Sequence, residues 1–491
     1  MSDKTNLNSI AVALDGLLPA LQHLDQRLEW AVVAAQVAYG PEAATDPYRG
    51  LHIDLEEVER LLARESGTSA FQVDGETLKS SPPDLVGKDS RLAWLQRFFG
   101  LSPFDLDLLL IALAPEFDRR YERLYAYLQD DVRCRRPSVE LALNLLCPSA
   151  AAKLVRRTHF SPEAPLIRHD LLHLIPDPNQ VEPPLLSHFL KLDEQVVRLL
   201  LGQEGLDARL TSFCHLIEPA VNWDELPLSD RMKQALPTLV AGAREVRQPL
   251  RLYFWGLSGA GKRRAAEALA GEVGVPLLVA ELARALEVKG DFEQILKLLF
   301  REAWFQDAIL YLEDLDALRC PERSLSYRSL LEVLAKATGA IALGGVQLWV
   351  SDEVGPKGVI TVSFPIPDFA QRRDCWQVNL AESGLALDGY DLDALANRFR
   401  LTPDQIADAV ATACNQSLWW AASLSSDEQQ SLARIQPTIN DLFAAARAQS
   451  GHDLTALARK IEPKYGWEDI VLPPDTWLSY RKSATKPSIG I

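Results

Sequence analysis

The sequence lacks three features that would point to common classes of function: an excess of basic residues, paired cysteines and long apolar runs. Its 491 residues include 51 Lys and Arg against 67 Asp and Glu, which gives a net charge of −16. Sequence-independent binding to nucleic acid and binding to an anionic membrane surface both require a basic face. Both kinds of binding are therefore disfavoured, although a local basic patch on the surface is still possible.

The cysteines are scattered singly along the chain, without any C-x-x-C pair. They are Cys134, Cys147, Cys214, Cys320, Cys375 and Cys414. Such spacing is typical of reduced thiols and favours a cytoplasmic protein without disulfides or a zinc ribbon. The N-terminus has no basic segment followed by an apolar one, and no uncharged apolar run reaches about 18 residues. We expect neither export nor a membrane span.

The stretch LYFWGLSGAGKRRAAEAL, residues 252–269, fits the phosphate-binding template G-x-x-x-x-G-K. An apolar strand pattern precedes the loop and a helical pattern follows it, which is the context that this template requires. Its backbone N–H groups can surround phosphate oxygens, and its lysine supplies a positive charge. The residues predicted to bind ATP or ADP are Gly256, Leu257, Ser258, Gly259, Ala260, Gly261, Lys262 and Arg263.

Arg263 departs from the template, which has Ser or Thr at this position. The missing hydroxyl would coordinate Mg²⁺, whereas a guanidinium cannot ligate a cation. Mg²⁺ is therefore possible but doubtful as a cofactor. Arg263 could instead pair with the phosphates and partly replace the metal.

Residues 308–312 read as a later strand that runs into Glu313 and Asp314, as in a Walker-B motif. There the first carboxylate orients Mg²⁺ through water and the second polarises the attacking water. The expected order is Asp then Glu, and the inversion displaces each carboxylate. Because a misplacement of about 1 Å can cost on the order of a hundredfold in rate, Glu313 is only a weak metal candidate and both residues are degenerate catalytic candidates.

The next apolar stretch, residues 347–350, is predicted to be a strand that ends at Ser351 and Asp352. By resemblance to P-loop ATPases, which place a polar residue that senses the γ-phosphate at this position, Asp352 is a candidate sensor. The last strand, residues 359–364, follows without an intervening arginine. The arginine finger that would complete a neighbouring active site is therefore missing, and Lys357 lacks the planar fork to replace it.

Upstream, residues 8–37 show helical spacing and residues 77–87 read as a linker. Ser102, Pro103 and Asp105 mark a helix start. His169 and His173 faintly resemble a metal pair, but the flanking prolines favour a strand or hairpin and disfavour metal binding. In the C-terminal part, the area that Trp419 and Trp420 can bury favours core positions for both.

The stretches LYFWGLSGAGK, ILYLEDLDAL and VSFPIPDFAQRRD, followed by DLDALANRFRLTPDQIADAVATA, resemble one AAA module with its helical lid. The block FFGLSPFDLDLLLIALAPEFDRRYERLYAYLQDD resembles the winged-helix region of bacterial tandem-cassette AAA ATPases, some of which accompany contractile injection systems. The resemblance implies an α/β fold: a doubly wound parallel P-loop sheet with a lid, behind a mostly helical winged-helix-like region.

We therefore divide the chain into six regions. They are an N-terminal helical region (1–76), a winged-helix-like domain (88–220), a linker helix (221–247), the α/β nucleotide-binding subdomain (248–380), the helical lid (381–449), and a linker with a tail (450–491).

In the resembling family the first cassette is often degenerate and a second, intact one follows. KIEPKYGWEDIVLPPDTW, residues 460–477, is similar to the linker that introduces the second cassette, and here only SYRKSATKPSIGI follows it. The resemblance implies a regulatory or assembly half that binds ATP with weak or absent hydrolysis. Its partners would be other AAA protomers or a second cassette. A protein-interaction module that keeps the AAA shape without nucleotide, and DNA binding through the winged helix, stay open as alternatives.

Overall fold

The computed structural model describes residues 2–39, 55–63, 65–69, 71, 90–223, 226, 228–246, 248–350, 353–423 and 436–450. The predicted linker at 77–87, the sensor candidate Asp352 and the linker and tail beyond residue 450 lie outside the described residues.

The N-terminal part is mostly helical. Its elements are α1 (Ser2–Tyr39), α2 (Leu55–Ala63), α3 (Arg91–Phe99), α4 (Pro103–Phe117), α5 (Arg120–Leu128), α6 (Val139–Leu146), α7 (Ala150–Arg156), α8 (Pro165–Arg168), β1 (Leu172–Ile175), β2 (Phe189–Leu192) and α9 (Glu194–Leu200). Strands β1 and β2 form an antiparallel pair with Leu172 opposite Leu192. This pair confirms the strand predicted around His173.

Helix α4 lies at the centre of this part of the chain. Ser102 accepts a hydrogen bond from the backbone N–H of Asp105, and the Asp105 carboxylate accepts one from the backbone N–H of Ser102. This capping box, with Pro103 in the first turn, confirms the predicted helix start. Since α1 packs against α4 and shares its hydrophobic core, the regions predicted as 1–76 and 88–220 bury their apolar residues together.

The central part is a six-stranded sheet within the described residues, with helices on both faces. Its elements are β3 (Cys214–Ile217), α10 (Asp230–Glu245), β4 (Leu250–Gly256), α11 (Lys262–Val273), β5 (Leu277–Glu281), α12 (Leu282–Ala285), α13 (Phe292–Phe305), β6 (Ile309–Glu313), α14 (Ser324–Lys336), β7 (Ala340–Gly345) and β8 (Ile360–Phe364). The strand order is β3-β5-β6-β7-β4-β8.

Strands β4 to β8 run parallel, and β4 lies between β7 and β8. The chain therefore crosses from β4 to one side of the sheet and returns to its other side, which makes the sheet doubly wound. Strand β3 pairs antiparallel with β5 at the edge. Strand β3 extends this sheet, although its residues fall within the interval 88–220 that we predict for the winged-helix-like domain. The domain boundaries themselves stay predictions.

The strand predicted at residues 347–350 is wrong. The fourth parallel strand is β7, Ala340–Gly345, and residues 346–350 form a bend and a loop after it. Two glycines end this strand for a steric reason. A side chain at Gly344 would overlap the hydroxyl of Tyr311, and one at Gly345 would overlap the hydroxyl of Tyr253.

The lid follows the last strand. Its helices are α15 (Phe369–Glu382), α16 (Gly389–Arg398), α17 (Pro403–Ser423) and α18 (Ile439–Ser450). They share a separate apolar core that includes Trp376, Leu395, Ile406 and Leu442. None of the helices in the described part of the chain combines the length and the hydrophobicity that crossing a bilayer requires.

An ion network that is buried except for Arg209, whose side chain is 45% exposed, joins the C-terminal end of α13 to the N-terminal part, and we call it the junction. It comprises Asp193, Asp207, Arg209, Arg301 and Glu302. Arg301 Nη2 lies 2.8 Å from Asp193 Oδ1, and these side chains are 4% and 2% exposed. Arg209 Nη2 lies 2.9 Å from Asp193 Oδ2 and 2.5 Å from Asp207 Oδ2. Glu302 accepts a hydrogen bond from Gln195 at 3.0 Å.

Aromatic rings extend the same contact. Trp94 and Phe98 of α3 stack with their centroids 5.3 Å apart, and Phe98 lies 4.3 Å from Trp304 of α13. Trp94 also meets Phe305 edge-on at 6.2 Å. Ring pairs of this kind contribute beyond the area they bury, so α13 is held on the N-terminal part by apolar contacts as well as by ions.

Candidate nucleotide-binding site

The loop between β4 and α11 has the form that its glycines predict. Gly259 and Gly261 have φ values of +74° and +83°, in the left-handed region that glycine adopts without strain. Gly256 has no room for a side chain, because a Cβ there would overlap the carbonyl oxygen of Phe364 in β8. The loop therefore turns tightly, and the N-terminus of α11, which carries partial positive charge, begins at its end.

Lys262 is the first residue of α11 and folds back over the loop. Its Nζ donates hydrogen bonds of 2.7 Å to the carbonyl oxygens of Gly256 and Leu257. Partial burial lowers the pKa of the Lys262 ammonium, and the carboxylates of Asp316 and Asp314 oppose this shift. The ammonium therefore lies inside the loop, where it can exchange a carbonyl oxygen for a phosphate oxygen.

The two Walker-B candidates face different surroundings. Glu313 ends β6 and is half-buried, whereas Asp314 is exposed and takes a left-handed backbone conformation with φ +57°. Aspartate tolerates this conformation better than most residues. The chain turns at Asp314 into the short 3₁₀ helix Leu315–Leu318, so the two carboxylates do not occupy equivalent positions along one strand.

Arg263 pairs with Glu313 across the site. Its Nη1 lies 3.4 Å from Glu313 Oε2, and the side chains are 40% and 26% exposed. Burial raises the pKa of Glu313, and the charge of Arg263 opposes that rise. Mg²⁺ at this place would need a hydroxyl oxygen from residue 263 and a free carboxylate from residue 313. The residues present do not fit that cation.

Asp316 and Arg319 fix the loop after β7. Asp316 Oδ2 accepts a hydrogen bond from the backbone N–H of Val346 at 2.5 Å, and its Oδ1 accepts one from Gln347 at 3.2 Å. Arg319 Nη1 donates to the carbonyl oxygen of Leu348 at 3.1 Å. The sequence interpretation missed both residues, although the acidic run that continues through Asp316 was a usable signal.

The lid contacts the loop directly. The backbone N–H of Asp404, in the first turn of α17, donates to the carbonyl oxygen of Gly259 at 3.2 Å. A side chain at Gly259 would lie 2.8 Å from Thr402 Oγ1. Thr402 is buried and Asp404 is exposed at the edge of the loop. The sequence interpretation missed these two residues. The pattern T-P-D at residues 402–404 indicates only that a helix begins there.

Trp419 and Trp420 correct a prediction. They are 78% and 69% exposed on α17, with Leu418 beside them at 62%. The expectation that both rings lie in the core is therefore wrong for this helix. The apolar positions that α17 buries are Ile406, Ala409, Val410 and Ala413, nearer its N-terminal end.

Two family models match parts of the chain. Residues 55–214 match a variant winged helix domain, and residues 368–452 match the helical domain of contractile injection system ATPases. The second match spans the lid helices α15 to α18. The fold class predicted from the sequence is confirmed: an α/β fold with a doubly wound parallel sheet and a helical lid, behind a mostly helical winged-helix region.

Similar solved structures include the AAA domain of FIGL-1 and the same domain in complex with ADP. The first is 15% identical, has a TM-score of 0.39, and covers 57% of this chain and 96% of its own. The complex is 14% identical, with a TM-score of 0.39, and covers 57% and 98%. A search of curated proteins gave no significant match.

Proposed function

We propose that this chain binds ATP or ADP through the loop from Gly256 to Lys262, and that it hydrolyses ATP slowly or not at all. In this proposal it works in the cytoplasm as a regulatory or assembly cassette beside other AAA protomers or a second AAA cassette. The geometry of the loop carries the proposal. Two left-handed glycines, a helix N-terminus and an inward-folded ammonium are what a chain of phosphates requires.

Three losses support weak hydrolysis, two of them within this site and one that would act on a neighbouring site. Residue 263 has no hydroxyl, Glu313 is paired with Arg263, and the segment between β7 and β8 contains no arginine. A hydroxyl at position 263, an unpaired carboxylate at position 313 and an arginine finger would each help to stabilise charge in the transition state of phosphoryl transfer. Nucleotide would therefore serve to order the loop and the lid that contacts it, with little turnover.

Titration with a fluorescent ATP analogue tests the binding step, with Lys262→Ala as the paired variant. We expect saturable binding by the wild-type chain and affinity weaker by about tenfold or more in Lys262→Ala, because a charge-assisted hydrogen bond contributes about 1.5–3 kcal/mol. Phosphate release should stay far below the usual median of about 10 s⁻¹. Calorimetry that finds no binding of ATP or ADP, with and without Mg²⁺, would refute the proposal.

The exposed Leu418, Trp419 and Trp420 favour a second candidate, a protein-interaction module that keeps the AAA shape without nucleotide. Large exposed aromatic residues are enriched at protein interfaces. The same titration separates the two candidates, since the module would leave the fluorescence of the analogue unchanged. A gel shift at increasing salt tests the remaining alternative, DNA binding through the winged-helix region.

A further inference from the structure

The ion pair between Arg263 and Glu313 connects the two halves of the nucleotide site. Arg263 is the second residue of α11, and Glu313 is the last residue of β6. Their closest nitrogen and oxygen atoms are 3.4 Å apart, and both side chains keep partial access to solvent. The guanidinium therefore lies between the first turn of the helix and the carboxylate that a Walker-B motif would use for the metal.

The chemistry of the guanidinium suits a different role from that of a metal ligand. It repels a cation, but its five N–H donors lie in one plane and can hydrogen-bond two phosphate oxygens at once. Its partial exposure matters, because a pair that is accessible to solvent is weak and can exchange partners. Glu313 is also surrounded by negative charge from Asp314 and Glu281, so a cation at this place stabilises the folded chain before nucleotide arrives.

We propose that Arg263 takes the place of Mg²⁺ in this cassette, so that ATP or ADP binds as the metal-free anion and the guanidinium exchanges Glu313 for phosphate oxygens. This inference rests on the proposed nucleotide binding and adds the form of the ligand. It follows from a disagreement between the residues present and the metal that P-loop sites ordinarily hold. The loop glycines and Lys262 remain suited to phosphate, while Glu313, the carboxylate that would hold the metal, is paired with Arg263.

The experiment compares nucleotide affinity in EDTA and in excess Mg²⁺ for the wild-type chain and Arg263→Thr. The probes are ATP and ADP, titrated by calorimetry. We expect the wild-type chain to bind in EDTA with little gain on adding Mg²⁺. Arg263→Thr should lose about tenfold or more in EDTA, since it loses a charge-assisted pair, and should recover affinity when Mg²⁺ is added because the hydroxyl is restored.

Three further variants keep the outcome clear. Glu313→Gln releases Arg263 without removing it, so it should bind at least as tightly as the wild-type chain in EDTA. Arg263→Lys keeps the charge but loses the planar fork, so its affinity in EDTA should lie between those of Arg and Thr. Arg328→Thr is the matched control, because Arg328 pairs with Glu332 on the exposed face of α14, and it should behave as the wild-type chain.

Three results would overturn this inference while leaving the proposed function in place. The first is strict dependence of wild-type binding on Mg²⁺, and the second is equal affinity of Arg263→Thr and the wild-type chain in EDTA. The third is loss of binding in EDTA by a folded Glu313→Gln. Absence of wild-type binding under both conditions would instead refute nucleotide binding itself.

Discussion

The candidate nucleotide site and the junction both contain charged pairs, but they place the pair of Arg263 with Glu313 and the pair of Arg301 with Asp193 in opposite surroundings. At the site, the side chains of Arg263 and Glu313 are 40% and 26% exposed and 3.4 Å apart. At the junction, Arg301 and Asp193 are 4% and 2% exposed and 2.8 Å apart. Buried pairs are costly to break, whereas exposed pairs contribute little. The junction therefore suits a role in holding two parts of the chain together, whereas the more exposed pair of Arg263 and Glu313 suits the exchange of partners that we propose.

The largest effect should come from breaking the junction. Arg301→Ala leaves Asp193 buried with fewer partners and removes a donor to the carbonyl oxygen of Asp170. We expect a loss of about 3–5 kcal/mol in the free energy of unfolding. Urea unfolding followed by tryptophan fluorescence measures it, since Trp94 and Trp304 lie beside the network. Arg328→Ala, which removes an exposed pair, should cost less than about 1 kcal/mol. Equal losses in the two variants would end the comparison.

A smaller, pH-dependent effect should come from Glu302. Burial raises the pKa of this carboxyl, and the negative charge of Asp207 adds to the rise. An acid with a raised pKa in the folded state loses stability as pH rises from its unfolded pKa, about 4.3, through its folded pKa. Glu302→Gln cannot ionise, so its unfolding free energy relative to the wild-type chain should be higher at neutral pH than near pH 4. A constant difference between the variants across this range would contradict the prediction.

The smallest effect should come from the lid. Asp404 places an exposed carboxylate beside Gly259, so it repels phosphate through a solvated path. Asp404→Asn keeps the backbone hydrogen bond and should tighten ADP binding by about two- to fivefold, since one charge at such a place contributes about 1 kcal/mol or less. Asp408→Asn, one turn further along α17, is the control. Unchanged or weaker affinity in Asp404→Asn would show that the lid does not affect the charge of the site.

The sequence predicted the parts of the molecule in which one local pattern determines the structure. The loop from Gly256 to Lys262 and the capping box at Ser102 are of this kind, because each depends on residues a few positions apart. Strand β7 was placed too late in the chain because glycine and alanine are weak strand formers. Its small residues make room for Tyr311 and Tyr253, and such a reason becomes visible only in three dimensions.

The junction could not be predicted at all. Arg301 and Asp193 are 108 residues apart in sequence, and nothing in the local pattern of either residue identifies the other. The contact between Asp404 of the lid and Gly259 likewise joins residues that are far apart in sequence. The exposed rings of Trp419 and Trp420 show a related limit, because the large area that a ring can bury does not tell which face of a helix it occupies.

Helix α13 has a mechanical consequence. It ends at Phe305, where it packs against the rings of Trp94 and Phe98 in α3. Strand β6 then begins at Ile309 and ends at Glu313. Helix α13 thus leads, after three residues, into the strand that bears Glu313, the partner of Arg263. Because the rings of α3 pack against Trp304 and Phe305, a displacement of α3 that keeps these ring contacts also shifts α13 and, through the short turn, the strand that bears Glu313.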